Sequence, residues 1–260
     1  MPDLPVIRLL NLDLHNVRRD ELMHRLREGI VFTPNVDHLM RLQRDRAFYE
    51  TYAQADYRLC DSRIVQGVSA FATGQQIVEQ IAGSDFFPAF VQHIALYEPA
   101  MTVFLLGGST PGVAQAARDR LDAAAGRRVV ADAYAPPRGF EHDDAETARI
   151  VERICASGAT VLAVGVGSPK QEHWIVRHRD SLPGVQLFFG VGATIDFIAG
   201  HQRRAPRWMT RAGLEWLFRL VQEPRRLFRR YLIEDLPFFW LVLRQRLGRY
   251  RDPFGMQSRR

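Results

Sequence analysis

Residues 160–172 read TVLAVGVGSPKQE, and this stretch decides the fold. It opens with an unbroken apolar run, turns through Gly165 and Gly167 on either side of Val166, and then places Lys170, Gln171 and Glu172 at the start of a helical pattern. A continuous apolar run, rather than strict alternation, is what a strand covered on both faces requires. The same order recurs outward along the chain. Candidate strands lie at 30–33, 57–60, 101–106, 128–132, 160–164 and 186–189. Helical patterns lie between them, near 18–28, 36–53, 62–72, 85–97, 111–125, 143–156 and 170–179. Strand and helix in alternation predict a doubly wound, Rossmann-like and mostly parallel α/β sheet with helices on both faces. Such sheets bind ligands at the carboxyl ends of their strands.

The chain has 260 residues, 47% hydrophobic and 25% charged, which excludes a disordered or collagen-like protein. Two cysteines, Cys60 and Cys155, are too few for a disulfide framework and suit a reducing cytoplasm. The first residues, MPDLPVIRLLNLDLH, do not read as a signal peptide, and no apolar run reaches the ~18 residues of a membrane span. Charge divides unevenly. Residues 201–260 carry 15 Arg and 5 acidic residues, a net of +10, against −4 for residues 1–200. The basic part is helical throughout. The expected organisation is therefore an α/β core over 1–203 and a helical, arginine-rich appendage over 204–260, the latter suited to an anionic partner.

The residues just past each strand are the candidate site. Thr33-Pro34-Asn35 follows the first strand and offers a hydroxyl and an amide; a plain turn into a helix is the competing reading. Asp61 follows the second strand. It reads either as a helix N-cap or as a general base, and local sequence favours the cap. Residues 107–112, GGSTPG, place Gly107 and Gly108 where backbone amides could approach an anion at a helix start. With Asp132 twenty residues further on, the same stretch resembles a dinucleotide fingerprint and supports a rival, a dinucleotide-binding oxidoreductase. Gly165, Gly167, Lys170, Gln171 and Glu172 form the third group, and Asp196 stands in the helix after the last glycine turn. Three such turns in one array favour a nucleotide or phosphorylated ligand. There is no G-x-x-x-x-G-K-[ST], no Asp-x-Asp and no H-E-x-x-H, so neither an NTPase loop nor a metal site is expected.

In the tail, Arg219, Arg226 and Arg229 are spaced by 7 and 3, which puts them on one face of a helix, where guanidinium groups could hold a diphosphate. Residues 236–243, LPFFWLVL, are too short to span a bilayer but suit an interfacial helix on an anionic membrane. No nucleic-acid-binding module is visible, and nucleic acid is not expected as a partner.

Taken together, TPN at 33–35, the Asp at 61, FLLGGSTPGVA at 104–114, VGVGSPKQEHWI at 164–175, GVGATIDFIAG at 190–200 and RRAPRWMTRAGLEWLFRLVQEPRRLFRRY at 203–231 resemble the WecG/TagA/CpsF family of bacterial glycosyltransferases. The resemblance implies inverting, metal-independent transfer of a sugar, N-acetylmannosamine-type or another hexose, without a cofactor. The donor would be a UDP-sugar and the acceptor a polyprenyl-diphosphate-linked saccharide, in the synthesis of a cell-surface polysaccharide or exopolysaccharide. It implies Asp61 as the base, with Thr33 and Asn35 beside it. It places Gln171 in the nucleotide-sugar site, to which the strand-end reading adds the glycine turns, Lys170, Glu172 and Asp196, and makes Arg219, Arg226 and Arg229 a lid over the diphosphate. A peripheral position on the cytoplasmic face of the inner membrane follows, and a homo-oligomer is compatible with it. Two positions depart from the family pattern: Ser62 stands where Gly is common after the Asp, and Gln80 where an Arg is common.

Overall fold

The computed structural model describes residues 4–202, 205–206, 209, 214–222, 224–229 and 233–255. A short antiparallel hairpin, β1 (Val6–Leu9) and β2 (Leu12–His15), opens the chain, with Val6 opposite His15. Then come α1 (Arg19–Arg25), β3 (Gly29–Phe32), α2 (Val36–Arg41), α3 (Arg46–Ala53), β4 (Tyr57–Arg58), α4 (Arg63–Thr73) and α5 (Gly83–Tyr97). The second half runs β5 (Val103–Gly107), α6 (Pro111–Ala125), β6 (Val130–Tyr134), α7 (Asp144–Ser157), β7 (Val161–Gly165), α8 (Lys170–His178), β8 (Leu187–Gly190) and α9 (Thr194–Ile198). Among the described residues of the tail, three helices follow: α10 (Glu215–Gln222), α11 (Pro224–Arg229) and α12 (Pro237–Arg246).

Six strands form one sheet in the order β4-β3-β8-β7-β5-β6, every pair parallel. The doubly wound expectation holds. All six candidate strands are present, and the central β5 and β7 are unbroken apolar runs buried on both sides. Alternate side chains of β5 make the point: Phe104 and Leu106 enter one core with Phe48, Tyr52, Ile150 and Trp174. Val103 and Leu105 enter the other, with Phe86, Phe90, Ala117 and Ile195.

Three local features differ from the sequence reading. The N-terminal hairpin was not expected; it turns at Leu10, a non-glycine residue with φ +53°, and lies against β4. There the His15 Nδ1 accepts the backbone N–H of Arg58 (3.0 Å), covering what would otherwise be a bare sheet edge. The helix expected over 36–53 is two helices. It divides because Asp45 caps α3, its side chain accepting from Phe48 N–H (3.0 Å). The tail, read as an appendage over 204–260, contains a helix of the core. Phe238 and Val242 of α12 are buried in the larger cluster, and α12 packs on α4 and α2. Gln245 then hydrogen-bonds Leu10 N–H and Arg8 C=O, 2.8 Å each, and Tyr250 donates to Gln43 (2.6 Å).

Phe238→Ala should therefore cost about 3–5 kcal/mol of unfolding free energy, the usual range for emptying a buried aromatic site. Urea denaturation of the two chains would measure it; equal midpoints would put α12 outside the cooperative core.

Candidate functional site

The carboxyl edge of the sheet collects the expected residues in strand order. Asp61 follows β4, Thr33 follows β3, Gly190–Gly192 follow β8, Gly165–Gly167 follow β7, and Gly107–Ser109 follow β5.

Among the described residues, three groups hold Asp61. Its N–H donates to Pro34 C=O (3.1 Å), its own carbonyl accepts from Gln80 Nε2 (2.5 Å), and its Oδ1 accepts the N–H of Gly83 (3.0 Å). Gly83 is the first residue of α5, a fifteen-residue helix whose N-cap, Ala82, offers no side-chain acceptor. Asp61 supplies one through space, and its negative charge sits at the positive end of that helix. It is not the cap of the helix that follows it: Ser62 caps α4, its Oγ accepting from Val65 N–H (3.4 Å). Gln80, one of the two departures from the family pattern, braces the Asp61 backbone. Thr33 lies against the same glycine, with Oγ1 3.0 Å from where a Cβ on Gly83 would stand. Any larger residue at 83 would press on Thr33. Asn35 caps α2, accepting from His38 N–H (3.3 Å), which is the plain helix-start role.

The glycine turns are packed against one another. A Cβ on Gly107 would strike the carbonyl oxygen of Gly165, and one on Gly165 would come within 2.7 Å of the Gly192 carbonyl and 2.9 Å of Ile195 Cδ1. Gly108, at φ +97°, faces Ala114 N, Val113 and Ile195. Gly167 (φ +89°) and Gly192 (φ +56°) face open space. Gly107 and Gly165 thus serve close backbone approach, and Gly167 serves a left-handed turn. The Ser109 N–H in the first turn is taken by Asp196, whose buried Oδ1 accepts it at 3.2 Å. The cradle after β5 therefore already holds a carboxylate of the chain.

At the start of α8, Lys170 pairs with Glu141 and Gln171 is buried. The Gln171 Oε1 accepts Gly192 N–H (2.9 Å) and its Nε2 donates to Glu172 Oε1 (2.9 Å). Gln171 thereby ties the turn after β8 to the first turn of α8. Glu172 is 1% exposed. Its Oε2 and the neighbouring Ser168 Oγ are both buried without a hydrogen-bond partner among the described residues. Burial pushes the Glu172 carboxyl up to about 7, against the opposing pull of Gln171 and of the Arg41 charge. Glu172, a candidate for the nucleotide-sugar site, is buried in this structure and accepts from Gln171.

Sequence reasoning missed the rest of this floor. The Tyr52 hydroxyl meets His38 Nδ1 (2.8 Å), and Thr51 Oγ1 meets His173 Nδ1 (2.8 Å). Burial first, then the charges of Glu172, Asp61 and Asp37, push the Tyr52 hydroxyl well above its ordinary value. Arg41 and Tyr52 carry no motif; only their positions against Glu172 single them out.

Asp132, the acidic residue of the dinucleotide reading, lies within β6 and is held in a two-point ion pair by Arg153 (2.6 and 3.0 Å). Of the lid arginines, Arg219 belongs to α10 and Arg226 to α11, with their side chains outside the described residues. Arg229 pairs with Glu234 (3.4 Å), which also takes Arg44 (3.6 Å). Among the described residues no helix is long and apolar enough to cross a membrane.

A parallel open sheet with an anchored carboxylate and glycine turns on its carboxyl edge places the chain among α/β proteins of the kind that bind ligands at that edge. The model of the "Glycosyl transferase WecG/TagA/CpsF family" matches residues 7–252. The chain belongs to that family and is a glycosyltransferase.

The Glu172 carboxyl gives a pH signature. The unfolded chain sheds this proton near the ordinary 4.5 and the folded chain near 7, so folded Glu172 keeps its proton where unfolded Glu172 has lost it. Stability falls as pH rises through that window and levels off above it. Glu172→Gln keeps an acceptor for Gln171 and cannot ionise. Relative to wild type it should gain on the order of 3 kcal/mol between pH 4.5 and pH 8. Urea melts across that range decide it; parallel curves would mean that Glu172 titrates normally.

Proposed function

We propose that the protein transfers a sugar, with inversion, from a UDP-sugar to a polyprenyl-diphosphate-linked saccharide. This would serve cell-surface polysaccharide synthesis at the cytoplasmic face of the inner membrane. The observation that carries this reading is Asp61, anchored through one oxygen to the first N–H of α5 and set beside Thr33. An anchored carboxylate at a cleft edge is what base catalysis on an acceptor hydroxyl needs, since orientation comes before acidity. Asp61 takes the hydroxyl proton, the hydroxyl oxygen bonds to the anomeric carbon, and the bond to UDP breaks on the opposite face. Family membership supports the sugar-transfer chemistry. The uridine nucleotide and the lipid-linked acceptor rest on the sequence resemblance.

Charge develops on the departing diphosphate, and stabilisation placed there raises the rate. Arg219, Arg226 and Arg229 supply it in this reading. Arg229 must leave Glu234 to do so. That exchange is easy, because an exposed ion pair of this kind is worth about 0–1 kcal/mol. The loss of Asp132 to Arg153 weakens the dinucleotide alternative.

Asp61→Asn keeps an oxygen for Gly83 N–H but loses basicity. The variant should bind UDP as wild type does and transfer sugar about 10²–10⁴-fold more slowly. Transfer from a panel of UDP-sugars to a short-chain lipid-diphosphate acceptor is the assay, and near-normal turnover by the variant removes Asp61 as the base. Arg226→Ala should slow the same reaction roughly 10²–10³-fold with no change in melting temperature; an unchanged rate would leave that arginine without a part in the chemistry.

A further inference from the structure

The helix α12 is apolar on two opposite sides. Phe238, Val242 and Gln245 face the core, spaced 4 and 3 residues apart. Leu236, Trp240, Leu243 and Leu247, spaced 4, 3 and 4, form the opposite stripe and are 53%, 62%, 36% and 56% exposed. A helix that only sealed the core would carry polar residues there.

Just beyond the stripe the chain turns at Gly248 (φ +66°) and closes a hollow of about 380 Å³ lined by Arg244, Gly248, Arg249, Tyr250 and Arg251. Arg244 Nη2 donates to the Arg249 carbonyl (3.2 Å), which holds its guanidinium at the rim. Among the described residues, none of the three arginines has a carboxylate within ion-pair distance; the adjacent Asp252 is engaged by Arg8 (3.1 Å). Three arginines lining one hollow, with no carboxylate among the described residues paired to them, leave net positive charge there, and guanidinium geometry fits the oxygens of a phosphate.

We propose that this hollow seats the phosphodiester headgroup of an anionic phospholipid, with the stripe of Trp240, Leu243 and Leu247 entering the interface beside it. The inference rests on the peripheral membrane position proposed above and names the residues and the lipid chemistry. Neither half suffices alone: a free phosphate needs no apolar stripe, and an apolar partner needs no arginines. Amphipathic helices bind membranes by joining these two features. Because α12 is fastened to the core by Phe238 and Val242, the lipid would hold the catalytic domain itself at the surface, independently of Arg219, Arg226 and Arg229.

The experiment is flotation of the full chain with phosphatidylcholine vesicles, with and without phosphatidylglycerol. It compares wild type, Arg244→Gln/Arg249→Gln/Arg251→Gln and Trp240→Ser/Leu243→Ser, each first checked for an unchanged melting temperature. Wild type should bind the phosphatidylglycerol vesicles, and the triple arginine variant about 100-fold more weakly. The stripe variant should also lose binding. Turnover on a water-soluble acceptor should stay at the wild-type level in both variants and fall only on an acceptor embedded in vesicles. Equal vesicle binding by wild type and the arginine variant overturns the seat while leaving the membrane position standing. No binding by wild type overturns both. An arginine-dependent thermal shift with inorganic phosphate or short DNA, without arginine-dependent vesicle binding, assigns the hollow to another anion and likewise overturns the proposal.

Discussion

The carboxyl edge of this sheet is organised by an absence of side chains. Gly107 meets the Gly165 carbonyl and Gly165 meets the Gly192 carbonyl at distances no Cβ could share. Three strand ends therefore abut through bare backbone, and the turns that leave them are locked together before any ligand is considered. Gln171 completes the lock by accepting from Gly192 and donating to Glu172. The first turn of α8 and the turn after β8 consequently form one rigid piece. Positive φ at Gly107, Gly108, Gly167 and Gly192 lets the chain leave that junction in directions that residues with a side chain seldom adopt.

Two carboxyl groups stand on this edge in opposite surroundings. Asp61 is half-buried and sits on a backbone N–H at the positive end of α5. Glu172 is enclosed, has one oxygen without a partner, and is driven towards its neutral form by burial. Environments that separate two carboxyls in this way divide their roles. The first is the carboxyl proposed above as the base, held in orientation by the Gly83 N–H. The second keeps its proton to a higher pH than an ordinary carboxyl does and, by accepting from the Gln171 Nε2, sets which end of that amide faces Gly192. The same functional group is thus proposed for chemistry at Asp61 and holds geometry at Glu172.

The six-stranded sheet was legible because doubly covered strands are written as unbroken apolar runs, and VFLLG and VLAVG could be little else. The hairpin was not, since its strands are four residues each and too short to show a period. The break between α2 and α3 turned on one capping side chain, Asp45, inside an otherwise continuous helical pattern. Asp61 could be located at a strand end, yet its partner lies 22 residues away in sequence, and no local pattern announces that pairing. The glycines were legible as turns, but whether they served a ligand or each other could be seen only once three strands lay side by side. At α12 the ambiguity was of another kind. A helix apolar all round reads equally as interface or core, and LPFFWLVL supplies residues to both.

That double use changes what the basic segment can do. Had the tail ended free, bringing three arginines to a diphosphate would mean ordering a long chain fixed at one end. The segment carrying Arg219, Arg226 and Arg229 is instead fastened at both ends. Before it, the N–H groups of His201 and Gln202 donate to the Asp196 carbonyl (3.0 and 3.3 Å), on the same residue whose side chain holds the Ser109 turn. After it, Phe238 is buried in the core. A segment held at both ends samples a smaller volume than a free tail, which supports the use proposed above for its arginines. In that proposal the exposed pairing of Arg229 with Glu234 gives way to a diphosphate, an exchange of low cost because an exposed ion pair is worth about 0–1 kcal/mol.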